Sequence, residues 1–116
     1  MASFDPIPEE LLIVTAEQFD RAFGEYARWG PEDLIPIETR WPAVIPDVDR
    51  SKYPELGEKC REVQWTPVAW AETLRTKLTP DDCSEELNRM VAAKYPFLTL
   101  ERRRAIVRFA MFAADR

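Results

Sequence analysis

Residues 99–114 read TLERRRAIVRFAMFAA, and this stretch decides the expected fold. Thr99 is a favoured N-cap residue, so a helix is predicted to begin after it and to run to about Ala114. The second half of that helix is apolar on nearly all sides, and such a helix belongs in the centre of a core. We therefore predict a mainly α fold, a compact bundle of four to five helices around a buried C-terminal helix.

Other segments carry start signals for the remaining helices. Thr15 and Gln18 form a capping box, which predicts a first helix that ends before Gly30. Thr66–Pro67 and Thr79–Pro80 each place a cap residue before a proline at the first helical position, which predicts two further helices. A short helix is also expected over residues 54–63.

A proline-rich segment, residues 31–54, separates the first helix from the others. It holds five prolines interleaved with aliphatic residues. Because proline disfavours a helical conformation in the residue before it, we predict an ordered, extended crossover that lies across the helices. A short edge strand within this segment, paired with Leu11–Val14 as a two-stranded element, is compatible with that crossover. The whole chain, 1–116, is predicted to be a single globular domain.

The chain contains no histidine. That absence removes the commonest general base, the Ser-His and Cys-His pairs and most catalytic zinc sites. No phosphate-binding or nucleophile-elbow motif is present, and the spacing of Cys60 and Cys83 fits no zinc pattern, which predicts two free, buried thiols. We expect a protein that is not an enzyme and that uses no cofactor and no metal. An enzyme built on a metal held by Asp and Glu alone is the remote alternative.

The formal charge of −5 is unevenly distributed. Residues 1–58 carry 13 acidic and 5 basic side chains, whereas residues 59–116 carry 8 acidic and 11 basic ones. This pattern favours a small acidic interaction module, of the inhibitor, immunity, antitoxin or adaptor type, that binds and masks a basic partner protein. The residues expected to contact that partner from the acidic half are Glu32, Asp33, Trp41, Asp47 and Asp49. Trp41 is expected to be an exposed anchor because it lies outside any helical stripe.

The arginines at the start of the last helix are the second candidate surface. Arg102, Arg103 and Arg104 lie in its first turns, where the positive end of the helix dipole disfavours cations, and Arg108 extends the same face. Such an arrangement calls for compensation. Carboxylates of the same chain are one source, and an acidic partner, a phosphate or a nucleic-acid backbone is the other.

Nucleic acid is the partner in the alternative functional hypothesis. The predicted helices at 79–94 and 99–114 have the lengths of a helix-turn-helix, and the second begins with arginines. A DNA-binding regulator is therefore the alternative to the protein-interaction module. No membrane partner is expected, because the longest apolar run, residues 109–114, is too short to span a bilayer. Without a secretory pattern at its start, the chain is expected to be cytoplasmic.

Overall fold

The computed structural model describes residues 13–28 and 34–115. Within them the chain forms α-helices joined by short connections and no β-strand. The helices are α1 (Ala16–Tyr26), α2 (Ile37–Val44), α3 (Tyr53–Leu74), α4 (Pro80–Lys94) and α5 (Leu100–Ala114), with a 3₁₀ turn (Arg50–Lys52) before α3. The mainly α prediction is confirmed. The predicted two-stranded element is not present among the described residues, and Leu11 and Leu12 lie outside them.

Three of the helices begin at the threonines that the sequence singles out. The Gln18 N–H donates to Thr15 Oγ1 at 3.1 Å, and the Thr15 N–H donates to Gln18 Oε1 at 2.9 Å, which completes the capping box. The hydroxyls of Thr79 and Thr99 likewise accept from the backbone N–H three residues further on, at 3.2 and 3.1 Å. These caps satisfy donors that helix geometry leaves unpaired, so they can be located from local sequence.

The predicted break at Thr66–Pro67 is wrong. Helix α3 runs without interruption through Pro67, which lies buried inside it. The buried side chains follow one helical stripe on both sides of the proline, namely Cys60, Val63, Gln64, Pro67, Val68 and Ala71. Burial of this stripe outweighs the hydrogen bond that a proline inside a helix removes.

The predicted extended crossover is also wrong over much of its length. Residues 37–44 form α2, which contains Pro42. The side chain of Trp41 is fully buried, and its Nε1–H donates to the Ala22 carbonyl of α1 at 3.0 Å. Its ring also meets the Tyr53 ring edge-on, with 5.1 Å between centroids. These contacts on both sides fix α2 against the bundle, so Trp41 is a core residue and not the exposed anchor that was expected.

Helix α5 packs most extensively against α3 and also against α4. Its buried face consists of Ile106, Val107, Ala110 and Ala114. The opposite face reaches solvent, and Phe112 is 55% exposed there. The expectation of a helix buried on nearly all sides therefore holds for its inner face only.

The contrast between two tryptophans tests this account of the core. We expect Trp41→Ala to lower the free energy of unfolding by about 3–5 kcal/mol, because it removes a fully buried ring and a buried hydrogen bond. Trp65→Ala is the matched control, since Trp65 is 49% exposed, and it should cost about 1 kcal/mol. Urea denaturation of both variants measures the difference, and equal losses would contradict the assignment of Trp41 to the core.

Candidate interaction surface

The arginine cluster does not act as one patch, because its members face in different directions. Arg102 turns toward α1, where its Nε–H donates to Asp20 Oδ1 at 3.1 Å. Its guanidinium also lies 6.0 Å from the centroid of the Phe23 ring. Both side chains of the ion pair are largely covered, with 27% and 31% exposure. For Arg102 the explanation by an internal carboxylate is confirmed.

Arg102 packs closely against the glycine in α1. A Cβ atom at Gly24 would lie 2.7 Å from Arg102 Nη2, so the flexible arginine side chain would have to shift to admit one. The guanidinium therefore lies directly over the backbone of α1. Arg102 ties α5 to α1 and keeps 27% of its side chain exposed.

Arg103 is half-buried and points toward the inside of the bundle. Its Nε atom is buried and has no hydrogen-bond partner among the described residues. The ion pair that compensates Arg102 thus has no counterpart at this atom of Arg103 among those residues.

Arg104 and Arg108 are exposed. Within residues 13–28 and 34–115, neither guanidinium has an ion pair or a hydrogen bond. The two side chains border a shallow groove of about 430 Å³ between α5 and α4, whose other wall carries Ser84 and Asn88. The internal compensation found for Arg102 is therefore lacking for these two arginines.

Exposed side chains on α5 recur at every fourth residue. Leu100 is 53% exposed at the start of the helix, and the exposed Arg104 and Arg108 follow it at four-residue intervals. We call these three residues the outer stripe. Because residues four apart are neighbours on a helix surface and all three border the groove, the outer stripe is a continuous surface with one apolar end and two cations.

The acidic candidates are mostly used within the chain. Asp47 accepts from Gln18 Nε2 at 2.7 Å and lies 3.7 Å from Arg21 Nη2, and the Gln18 hydrogen bond lowers its pKa. Asp49 accepts from the Ser51 N–H at 2.8 Å and caps the 3₁₀ turn, and the same backbone hydrogen bond lowers its pKa. Both carboxylates are nevertheless exposed at the surface. The other two acidic candidates, Glu32 and Asp33, lie outside the described residues.

Sequence reasoning missed a buried ion pair between α1 and α2. Arg40 Nη1 donates to Glu25 Oε2 at 2.9 Å and also to the Glu25 carbonyl at 2.9 Å. The two side chains are only 12% and 9% exposed. Burial raises the pKa of Glu25, but hydrogen bonds from Arg40 and Arg28 outweigh it and hold that pKa below its usual range. Nothing in the spacing of these residues identifies the pair, because α1 and α2 meet only through the tertiary fold.

A second exposed feature was also missed. The Trp65 ring meets the Phe109 ring edge-on, with 5.4 Å between centroids, at a groove of about 300 Å³ bordered by α1, α2, α3 and α5. Trp65 lies just off the buried stripe of α3. The position of residue 65 relative to that stripe is the signal that places Trp65 at the surface. It could not be used while a helix was predicted to start at Thr66.

The described residues contain no group of three or more Asp, Glu or Cys side chains placed to hold a metal ion. Of the helices in this part of the chain, none is both long and apolar enough to cross a lipid bilayer. Both cysteines are free and buried, and burial raises the pKa of each thiol. The prediction of two free, buried thiols is confirmed.

Comparison of the chain with protein-family models, with curated proteins and with solved structures found no match. The candidate surface is therefore judged on its geometry and charge.

Stability measurements should separate the internal arginine from an exposed one. Arg102→Ala is expected to lower the free energy of unfolding by about 1 kcal/mol, because it breaks a half-covered ion pair. Arg104→Ala should leave that free energy unchanged or raise it by about 0.3 kcal/mol, since it removes a cation from the positive end of α5. Thermal and urea unfolding measure both changes, and a larger loss for Arg104→Ala would show that it has an internal role.

The Glu25–Arg40 pair should make stability depend on pH. Because the folded pKa of Glu25 lies below its unfolded value of 4.5, its contribution is present above about pH 4.5 and is lost as the pH falls through the folded pKa. Glu25→Gln should lower the free energy of unfolding at pH 7 by about 3 kcal/mol. In this variant the free energy of unfolding should also decrease less steeply as the pH falls.

Urea denaturation from pH 7 down to about pH 3 measures this dependence. Glu38→Gln is the control, because Glu38 is an exposed glutamate on α2. Its curve should follow that of the unaltered protein. If the free energy of unfolding of Glu25→Gln fell in acid as steeply as that of the unaltered protein, Glu25 would not be the group responsible.

Proposed function

We propose that this protein is a small acidic, non-enzymatic interaction module that binds and masks a partner protein through the outer stripe of α5. One observation carries the proposal. Arg104 and Arg108 are exposed and unpaired among the described residues, and they share one helical face with the exposed apolar side chain of Leu100.

The position of these arginines makes them informative. Arg104 lies in the second turn of α5, where the helix dipole opposes a positive charge, and no carboxylate within the described chain offsets it. A local rule broken without internal compensation is typical of a functional site. Arginine is also enriched among the residues that dominate protein–protein binding energies. Together these arguments favour a partner that supplies the missing negative charge.

The acidic half of the chain is a second surface within the same proposal. Asp47 and Asp49 are exposed while bonded within the chain, and the formal charge of −5 suits a basic partner. We place the main contact on the outer stripe because the charges there are unpaired, whereas those of Asp47 and Asp49 already have internal hydrogen bonds.

A DNA-binding regulator is the second candidate function, since unpaired arginines also suit a phosphate backbone. Helices α4 and α5 form the expected hairpin. Against this candidate, exposed acids on α4, among them Asp81, Asp82 and Glu85, repel a long polyanion near the groove. The proposal also places the protein in the cytoplasm, a location that two free thiols favour because reducing compartments preserve them.

Photo-crosslinking in cells of the source organism tests the proposal. A photoreactive phenylalanine analogue at Leu100 should give one discrete protein adduct, and the same analogue at exposed Glu72 of α3 should not. In the Leu100 background, Arg104→Glu with Arg108→Glu should abolish the adduct, because it reverses the charge of the contact. Arg50→Glu with Arg61→Glu alters two other exposed arginines by the same charge and should leave the adduct intact.

Three outcomes would contradict the proposal. Equal labelling from positions 100 and 72, or an adduct that persists after reversal of Arg104 and Arg108, would show that the outer stripe is not the contact. An adduct destroyed by nuclease would replace the protein-interaction module with the DNA-binding candidate.

A further inference from the structure

We infer that the outer stripe and the groove beside it bind an amphipathic helix of the partner, one that carries two carboxylates four residues apart with an apolar residue one turn beyond one of them. This inference rests on the proposed function and specifies the chemistry of the partner. Spacing, charge, the shape of the groove and the surrounding acids support it.

The spacing of the outer stripe matches a helix. Its three side chains lie at four-residue intervals from Leu100 to Arg108, which places them about 6 Å apart along α5 and about 12 Å from end to end. A partner helix presents side chains with the same repeat, so one apolar and two acidic residues at matching positions meet the stripe. An extended segment, with about 3.3 Å per residue and alternating faces, has a different repeat.

Charge complementarity identifies the central residues of the occupant. Arg104 and Arg108 have no ion pair among the described residues, so a partner carboxylate does not compete with an internal one. The planar guanidinium can hold a carboxylate through two parallel hydrogen bonds, which fixes geometry as well as charge. Two carboxylates four residues apart on a helix are about as far apart as the two arginines.

The groove supplies a second wall for the occupant. Ser84 and Asn88 lie one turn apart on α4, facing Leu100, Arg104, Val107 and Arg108 across about 430 Å³. The Asn88 amide donates to the Ser84 carbonyl at 2.9 Å, which holds this uncharged wall close to its own helix. Two adjacent helices with a shallow groove between them form the usual receiving surface for a third helix.

The other common modes of binding fit less well. No strand edge exists among residues 13–28 and 34–115, so a partner strand has no described edge to pair with. A polyphosphate backbone repeats its charge beyond the two arginines, and the same two helices carry the exposed carboxylates of Glu101 on α5 and of Asp81 and Glu85 on α4. Exposed acids on these helices disfavour a long polyanion.

A designed peptide provides the probe. It is a fluorescent, end-capped, 16-residue alanine–glutamine helix with leucine at its second position and glutamate at its sixth and tenth. Fluorescence anisotropy against the full chain should show saturable binding. Binding should weaken roughly tenfold when Arg104→Glu and Arg108→Glu are combined, because two exposed charge pairs are lost. Arg50→Glu with Arg61→Glu is the charge-matched control and should bind as the unaltered protein does.

A second peptide tests the spacing. It carries the same residues, but its second glutamate is moved to the eighth position, so that the two carboxylates lie on opposite sides of the helix. It should bind roughly tenfold more weakly than the first peptide. Circular dichroism of both peptides and both protein variants verifies that helicity and folding are equal.

The possible results separate this inference from the proposed function. Equal binding by both peptides, no loss on reversal of Arg104 and Arg108, or no binding at all would overturn the helical occupant. A crosslinked protein adduct at position 100 together with any of these results would leave the interaction module in place with a non-helical contact. The absence of any discrete protein adduct at position 100 in the otherwise unaltered protein would remove both.

Discussion

The packing of α5 against α3 is the contact on which the arrangement of the other elements depends. Ile106, Val107 and Ala110 lie on the buried face of α5, and their burial fixes the rotation of the helix about its axis. Successive residues of an α-helix turn by about 100°, so three consecutive side chains cannot face the same way. Once the apolar residues are buried, Arg102 faces α1, Arg103 faces inward and Arg104 faces solvent.

This rotation decides which of the arginines at the positive end of the helix gain stabilising contacts. Arg102 is stabilised by Asp20 and the Phe23 ring. The buried Nε of Arg103 lacks a hydrogen-bond partner among the described residues. Arg104 and Arg108 remain exposed and have no counter-charge among the described residues. A counter-charge that stabilises them has to come from outside those residues. The proposed function follows from that imbalance.

Local chemistry made the helix starts predictable, whereas tertiary contacts overrode the proline signals. Thr15, Thr79 and Thr99 cap their helices because each hydroxyl meets a backbone N–H within its own turn. The Thr66–Pro67 pair carries a similar signal, yet α3 continues through it because its buried stripe continues. The candidate site was predicted in part: the arginines were identified from sequence, but only the fold separated Arg102 from Arg104 and Arg108.

The sequence by itself determined the helical class, most of the helix starts, the two free thiols and the uneven distribution of charge. These properties depend on composition or on residues a few positions apart, where caps and helical periodicity act. Only the tertiary structure decided that Trp41 is buried, that Glu25 pairs with Arg40 and that Arg102 bonds to Asp20. Each of these features depends on contacts between different helices, so it is decided only when the helices have packed together.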